Sequence, residues 1–290
     1  MTEAAADAII SVEEENRLGE QMAAQIAQKN ELLQDSPVTT YVRELGQKVA
    51  AQAEDTPDGI NYSFNVIEAP DTVNAFAIPG GHIYVYTGLL RQLEDEAELM
   101  AVLSHEVAHV AERHVAEQLV AQYGLQALQQ VLLGQDAGLL GQLVANVTSQ
   151  GYLLKHSRDA EREADRRGLR YQVAAGYDPH GFIDFFQRLE GQGAQLPAFL
   201  LTHPPPEQRI ENIRDQIADL GQIPQRTNQE RYQDMIAELP SAPETGTSPA
   251  SSPRTGPAGE DPTPTTPPGS DSEGALEGGE TDPGLFPDKK

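Results

Sequence analysis

The sequence predicts an α+β fold that is mostly helical, with one small sheet packed against a central helix. Apolar residues recur at three- and four-residue intervals through much of residues 8–240, as they do in amphipathic helices. Between residues 60 and 88, apolar and polar residues alternate as they do in short strands. Beyond about residue 240 the apolar residues almost vanish and Pro, Gly, Ser, Thr, Asp and Glu dominate. We therefore predict a folded domain over residues 1–239 and a disordered acidic tail over residues 240–290.

Within that domain the strands are predicted between an N-terminal helical pair and a later helical region. The predicted strands are 60–68, 73–78 and 82–86, and the predicted helices are 8–34, 38–54, 95–122, 157–174 and 180–190. The interval 123–150 carries many Leu and Val residues, but Gln, Asp136 and Gly interrupt them, so it is too polar to cross a bilayer. We predict that it forms helices that close the core. A mobile amphipathic lid or a membrane-surface element is the alternative.

Composition limits the partners of this chain. The net charge is −25, which argues against nucleic acid and anionic membrane surfaces because both repel an acidic protein. Cysteine is absent, which excludes a disulfide framework and a thiolate site. The sequence has no apolar run of 18 residues, so no transmembrane helix is expected. The N-terminus lacks the basic and apolar regions of a signal peptide, which indicates either a cytoplasmic protein or one whose leader is missing from this sequence.

A His-Glu-x-x-His motif lies on the helix predicted over 95–122. His105 and His109 are about 40° apart around a helix axis, so both imidazoles can reach one metal ion. Glu106 lies beside them, where it can act as a general base on water. The alternative is a surface helix that carries two histidines by chance. His114 is nine residues from His105, so it is predicted to face the other way, on the surface.

A second acidic segment supplies candidates for a third ligand. Glu161 and Asp165 are four residues apart and therefore share one helix face. One of them can bind the metal while the other accepts the free ring N–H of a ligand histidine. Glu163 is rotated about 200° from Glu161 and is predicted to point elsewhere. The alternative is an ordinary solvated, charged helix.

The two motifs together resemble the CAAX-prenyl-protease and HtpX family of zinc metallopeptidases. The matching motifs are His-Glu-Val-Ala-His at 105–109 and Glu-Arg-Glu-Ala-Asp at 161–165. Three further stretches agree, namely 74–81, 175–179 and 202–210. The resemblance covers about residues 10–220 and is greatest to the soluble bacterial branch. The C-terminal helical repeats found in part of that branch are missing here.

The resemblance implies a zincin-like fold and one Zn²⁺ per chain. His105, His109 and Glu161 would hold the ion, and Asp165 would orient one of the ligand histidines. Glu106 would be the general base. Two further catalytic roles are predicted on the late His-Pro segment. His203 is expected to fill the open zinc position in a resting form or to donate to the oxyanion, with an ordinary loop histidine as the alternative. Arg209 is expected to stabilise the oxyanion or to form a structural salt bridge.

The resemblance also implies that the substrate is protein. We predict that Asn74, Ala75 and Phe76 lie on an edge strand that holds an extended substrate by strand addition, with an ordinary buried strand as the alternative. The expected substrates are unfolded or misassembled proteins, in bacterial envelope quality control. A chaperone-like module with latent protease activity and a non-peptidase zinc hydrolase are the competing functions. The expected location is the periplasm or cell envelope, with the cytoplasm as the alternative.

Three further histidines lie outside the matching motifs. The histidines at positions 82, 156 and 180 have no evident partner in the sequence and are predicted to be structural or exposed. Neither the oligomeric state nor the cleavage preference follows from the sequence.

Overall fold

The computed structural model describes residues 10–149, 156–190, 198–203 and 207–240. The chain separates into a unit from Met1 to Pro243 and a second unit from Glu244 to Lys290, and every described residue belongs to the first. The tail predicted over residues 240–290 lies almost entirely outside the described residues, so its disorder stays a prediction.

Helices make up most of the described chain, as predicted. In chain order they are α1 (Val12–Lys29), α2 (Pro37–Ala50), α3 (Thr87–Leu90), α4 (Glu96–Ala111), α5 (His114–Tyr123), α6 (Leu125–Leu132), α7 (Ala137–Ser149), α8 (Arg158–Ala174), α9 (Gly181–Glu190), α10 (Ala198–Thr202), α11 (Glu207–Asp219) and α12 (Gln229–Ile236). The strands are β1 (Ser63–Ile67), β2 (Ala75–Ile78) and β3 (His82–Tyr86), and a 3₁₀ turn over Pro79–Gly81 joins β2 to β3.

The three strands form one mixed sheet in the order β1-β3-β2. β1 runs parallel to β3, with Ser63 opposite His82, and β2 runs antiparallel to β3, with Ala75 opposite Val85. The turn that reverses the chain between β2 and β3 needs Gly80 and Gly81, which have φ of 79° and 88°, values that suit glycine. The prediction of a small sheet with antiparallel pairing is therefore confirmed.

The helix ends follow from local sequence. Ser11 and Glu14 form a capping box at the start of α1, where each side chain bonds to the other residue's backbone N–H. The Asp95 carboxylate accepts a hydrogen bond from Glu98 N–H at the start of α4. The Ser157 hydroxyl does the same for Ala160 N–H at the start of α8. These caps fix where the two helices that carry the motifs begin.

Helix α4 lies at the centre of the fold, and all of its residues are buried. It packs against β2 on one side and against α2, α8 and α9 on others. Two glycines allow the closest approaches. A Cβ on Gly168 of α8 would lie 3.0 Å from the backbone N of His105, and a Cβ on Gly181 of α9 would lie 2.3 Å from the carbonyl O of Ala97. The α8 and α9 backbones therefore lie directly on α4.

Helices α6 and α7 answer the question left open for residues 123–150. Leu128, Val131, Leu143 and Val144 are buried, and both helices pack on α1. The helices thus close the core, as predicted, although Leu133 remains 66% exposed. In the part of the chain that the structure describes, no helix combines the length and the apolar character needed to span a membrane.

One helix prediction is wrong in extent. The helix expected over 95–122 is two helices, because the chain breaks at Arg113, whose backbone is left-handed with φ 56° and ψ 27°. The break redirects α5, so residues after Arg113 no longer follow the helical spacing of α4.

Candidate metal centre

Four buried side chains from three places in the sequence converge beside α4. His105 and His109 come from α4, Glu161 comes from the first turn of α8, and His203 follows α10. Each residue is at most 2% exposed. One ligand atom from each lies within 4.8 Å of every other. Helix periodicity brings the α4 pair together, and the packing of α8 on α4 at Gly168 brings the carboxylate to them.

The separations suit a tetrahedral metal ion. The Nε2 atoms of His105 and His109 are 3.0 Å apart, and His203 Nδ1 is 3.1 Å from His105 Nε2. Glu161 Oε1 is 3.0 Å from His203 Nδ1 and 3.4 Å from His109 Nε2. A tetrahedral ion with ligands at about 2.0–2.1 Å places those ligands about 3.3 Å from one another.

The donor types fit as well as the distances. Three imidazole nitrogens and one carboxylate are ligands that zinc accepts. A cation between these groups would also offset the unfavourable burial of the Glu161 charge and of several ring nitrogens facing one another. The residues present therefore form a site that could hold a metal ion, and zinc suits its donor set.

The back of His105 faces a charged partner. Its Nδ1 is 3.1 Å from Asp165 Oδ1. Burial acts to lower the pKa of His105, but hydrogen bonds to Asp165 and Glu161 outweigh it and raise that pKa to about 9 in the metal-free chain. Burial also acts to raise the pKa of Asp165, yet the guanidinium of Arg209 holds that pKa below its usual value. Asp165 is thus a carboxylate placed to accept the ring N–H of His105.

Arg209 holds two of the carboxylates of α8. Its Nε and one terminal nitrogen donate to Asp165 at 2.7 and 2.6 Å, and the other terminal nitrogen is 2.7 Å from Glu161 Oε2. The guanidinium also lies 4.4 Å from the ring centroid of Phe186. These contacts describe a buried salt bridge, which was one of the two roles expected for Arg209. Its role at an oxyanion stays a prediction.

Glu106 points into the same space from α4. Within the described residues its Oε1 is buried without a hydrogen-bond partner, and it lies 3.5 Å from His203 Nε2. Burial raises the pKa of Glu106, although the charges of His203 and His105 oppose this. A buried carboxylate oxygen left free beside a metal site is suited to accept a proton.

The surroundings of His109 were missed by sequence reasoning. His114 is 8% exposed, and its Nδ1 lies 2.9 Å from His109 Nδ1. The predicted surface position of His114 is therefore wrong, because the break at Arg113 turns it back towards α4. His156 is also buried and stacks on His109 with ring centroids 3.9 Å apart. The sequence offers no signal for this cluster, since neither Gly nor Pro marks the break.

The remaining candidates lie around this centre. Ala75 and Phe76 begin β2, which is at one end of the strand order, and Asn74 immediately precedes it. All three are buried, and their role in substrate binding stays a prediction. His82 contacts Ser63 at 2.8 Å, and His180 lies on the surface with Asp178 at 2.7 Å. Neither belongs to the metal-site group.

The fold and the site together define a metallopeptidase of the zincin type, with His-Glu-x-x-His on one helix and a carboxylate ligand on a later one. Comparison of sequences gives the family. The profile of peptidase family M48 matches residues 37–217, more than half of the chain. The chain belongs to this family.

Several characterised relatives are similar to this chain. The Beta-barrel assembly-enhancing protease of Yersinia pestis is 30% identical over 239 residues, which cover 78% of this chain and 48% of the relative. The Escherichia coli K12 protein of the same name is 29% identical with the same coverage. The Mitochondrial metalloendopeptidase OMA1 of Schizosaccharomyces pombe is 33% identical over 195 residues, or 66% of this chain and 56% of the relative. The chain thus spans about half the length of the relatives that it matches.

Proposed function

We propose that this chain is a zinc-dependent metalloendopeptidase that cleaves unfolded or misassembled proteins in the bacterial envelope. The observation that carries this proposal is the buried group of His105, His109, Glu161 and His203 beside the Glu106 carboxylate, whose Oε1 has no hydrogen-bond partner among the described residues. Membership of family M48 supports the peptidase activity. The envelope assignment rests on relatives named for β-barrel assembly.

The residues divide the chemistry among themselves. Bound zinc supplies Lewis-acid polarisation of a substrate carbonyl and makes a nearby water more acidic. Glu106 accepts a proton from the attacking water at Oε1. As the carbon–nitrogen bond breaks, Glu106 returns the proton to the leaving nitrogen. Asp165 keeps the ring N–H of His105 occupied, which leaves Nε2 of that ring free for the ion.

An extended protein segment is the substrate form that the fold suits. β2 ends the strand order, and it packs on α4, the helix that carries Glu106. A segment added along this strand would therefore run beside the general base. The residues proposed to contact it are Asn74, Ala75 and Phe76.

The decisive experiment combines metal content with cleavage of an unfolded protein such as casein. Zinc is measured in the unmutated chain and in Glu106→Gln, with Glu13→Gln on the exposed side of α1 as the matched control. We expect about one zinc in each protein. Cleavage should fall by at least about 100-fold in Glu106→Gln only. Absence of zinc from the unmutated chain, or full cleavage by Glu106→Gln, would contradict the proposal.

A second function is favoured by one specific observation. His203 Nδ1 lies 3.1 Å from His105 Nε2 and 3.0 Å from Glu161 Oε1, where a fourth ligand would sit. A catalytic zinc site keeps that position open. The alternative is therefore a chaperone-like, client-binding module whose protease activity is latent because His203 closes the site.

His203→Ala separates the two functions. If His203 closes the site, the variant should retain zinc through its three other ligands and cleave casein faster than the unmutated chain. If the site is open in solution, the variant should cleave no faster. Binding of casein by Glu106→Gln, together with no turnover by the unmutated chain, would favour the client-binding function. Fractionation of the producing cells tests the envelope location.

A further inference from the structure

The two histidines of the His-Glu-x-x-His motif are supported from behind in different ways. Nδ1 of His105 faces the Asp165 carboxylate. Nδ1 of His109 instead faces Nδ1 of His114 at 2.9 Å. That distance is a hydrogen bond between two rings. The carboxylate behind His105 belongs to the pattern read from the sequence, whereas the imidazole behind His109 does not.

The contact fixes which ring donates. A ligand histidine binds a metal through a nitrogen without a proton, and His109 faces the metal site with Nε2. Its proton must therefore be on Nδ1, which donates to His114 Nδ1. His114 then carries its own proton on Nε2. This nitrogen is the one directed towards Glu163, whose Oε2 is 3.9 Å away.

Glu163 is itself held in place. Its Oε1 lies 3.2 Å from a terminal nitrogen of Arg166 and 3.5 Å from one of Arg167. Its other oxygen, Oε2, points towards His114. A separation of 3.9 Å is too long for a hydrogen bond. A carboxylate, a neutral imidazole and a ligand imidazole therefore follow one another from Glu163 to the metal site.

The backbone is bent to make this contact. An uninterrupted helix would place position 114 about 140° around the axis from His109. The left-handed Arg113 ends α4 and starts α5 with His114. A left-handed backbone is unfavourable for arginine and persists only where the surroundings enforce it. The side chain of Arg113 is held in the core, where its Nε donates a hydrogen bond to the buried Glu15 carboxylate at 2.7 Å.

We propose that His114 is a positioning residue for the metal ligand His109. It accepts the Nδ1–H of His109, sets the orientation and tautomer of that ring, and so strengthens metal binding without touching the ion. The inference rests on the metal site of the proposed function but not on cleavage. It assigns a reason to the irregular backbone at Arg113.

The test compares two substitutions of nearly equal size. His114→Asn keeps an acceptor oxygen where Nδ1 stood, and His114→Leu removes it. Zinc affinity is measured by competition with a chromophoric chelator, and the visible spectrum of the cobalt-substituted protein reports ligand geometry. We expect His114→Leu to bind zinc about 10–100-fold more weakly, with an altered cobalt spectrum. His114→Asn should restore most of the affinity and the original spectrum.

The outcomes are distinct. Unchanged zinc affinity and cobalt spectrum in a folded His114→Leu protein would overturn the inference. Equal losses in both variants would do so too, because a merely structural role does not depend on the acceptor. Failure of the unmutated chain to bind zinc would instead overturn the proposed function.

A second measurement uses the unmutated protein and does not depend on whether the variants fold. In the zinc-loaded protein, ring-nitrogen NMR of ¹⁵N-labelled histidine should find the proton of His109 on Nδ1 and that of His114 on Nε2. A proton on His114 Nδ1 would contradict the inference.

Discussion

His105 and His109 lie one turn apart on α4, yet their surroundings are of opposite kinds. His105 has the Asp165 carboxylate behind it, itself held by two hydrogen bonds from Arg209. His109 has the uncharged ring of His114 behind it and that of His156 stacked against it. Hydrogen bonds to Asp165 and Glu161 overcome burial and raise the pKa of His105 to about 9. Burial and the neighbouring histidines hold the pKa of His109 well below its usual value.

The difference shows how a ligand can be oriented without added charge. The centre already buries three carboxylates, Glu106, Glu161 and Asp165, against one guanidinium from Arg209. A fourth carboxylate behind His109 would add another buried negative charge, which is unfavourable without a partner. A neutral imidazole provides the same hydrogen-bond acceptor. Burial keeps it uncharged, because it lowers the pKa of His114 to about 4.

Asp165→Asn should produce the largest effect on stability and zinc affinity, because it removes the charged group behind His105. It removes a buried charge from the Arg209 pair, and we expect the free energy of unfolding to fall by about 3 kcal/mol. Zinc affinity should fall by about 10–100-fold, because His105 loses its carboxylate. Denaturant unfolding of the metal-free protein and chelator competition measure the two effects.

A substitution of His114, the uncharged ring behind His109, provides the contrast for this variant. His114→Leu should match Asp165→Asn in zinc affinity but lose only about 1 kcal/mol of stability, as expected for an uncharged hydrogen bond. Asp159→Asn is the matched control, because that side chain lies on α8 with 87% of its surface exposed. Equal destabilisation by Asp165→Asn and His114→Leu would erase the proposed distinction.

Gly168→Ala should have an intermediate effect on stability and zinc binding. The effect should act through the surroundings of His105 and leave the contact between His109 and His114 unchanged. The new Cβ would lie 3.0 Å from the α4 backbone at His105, so α8 must move away together with Glu161 and Asp165. We expect a loss of about 1–3 kcal/mol of stability and weaker zinc binding. The tautomer of His114 should be unchanged in the NMR spectrum, because α4 and α5 keep their own contact.

Gly138→Ala in α7 is the control for that substitution. Its Cβ would meet only Asp136 Oδ1, at 3.4 Å, and alanine favours a helix by about 0.5–1 kcal/mol over glycine. A Gly168→Ala protein as stable as Gly138→Ala would show that α8 is not held tightly on α4.

Glu163→Gln should have the smallest effect on zinc affinity. It tests whether the carboxylate beyond His114 contributes to the orientation of His109. Glu163 is 29% exposed and 3.9 Å from His114, so the expected change in zinc affinity is no more than about fivefold. Glu211→Gln on the exposed side of α11 is the control. A loss as large as that of His114→Leu would mean that the carboxylate, and not the ring, orients His109.

The part of the metal centre that helical spacing in the sequence predicted comes from two regular helices, α4 and α8. His105, His109, Glu161 and Asp165 are pairs at four-residue spacing, and an α-helix keeps such pairs on one face whatever surrounds it. The cap at Ser157 and the strands near residues 63–86 also follow from local patterns. Each of these predictions depends on neighbours in the sequence.

The other half depends on contacts between distant residues. His114 reaches His109 through the left-handed backbone at Arg113, and the side chain of Arg113 binds Glu15, 98 residues earlier. Arginine has no intrinsic preference for a left-handed backbone, so extending the helical periodicity of α4 gave the wrong face. His156 lies 47 positions beyond His109 and packs on it only in the folded chain. Tertiary contacts of this kind leave no periodic signal.

The ion pair between Glu15 and Arg113 also bears on which residues a metal-binding fragment of this chain must include. Glu15 belongs to α1, which precedes the region matched by the family profile, residues 37–217. A fragment trimmed to that region would retain every proposed metal ligand yet lose the carboxylate that holds the turn at Arg113. The smallest piece of this protein worth expressing for metal binding therefore begins before Ser11, where the cap of α1 starts.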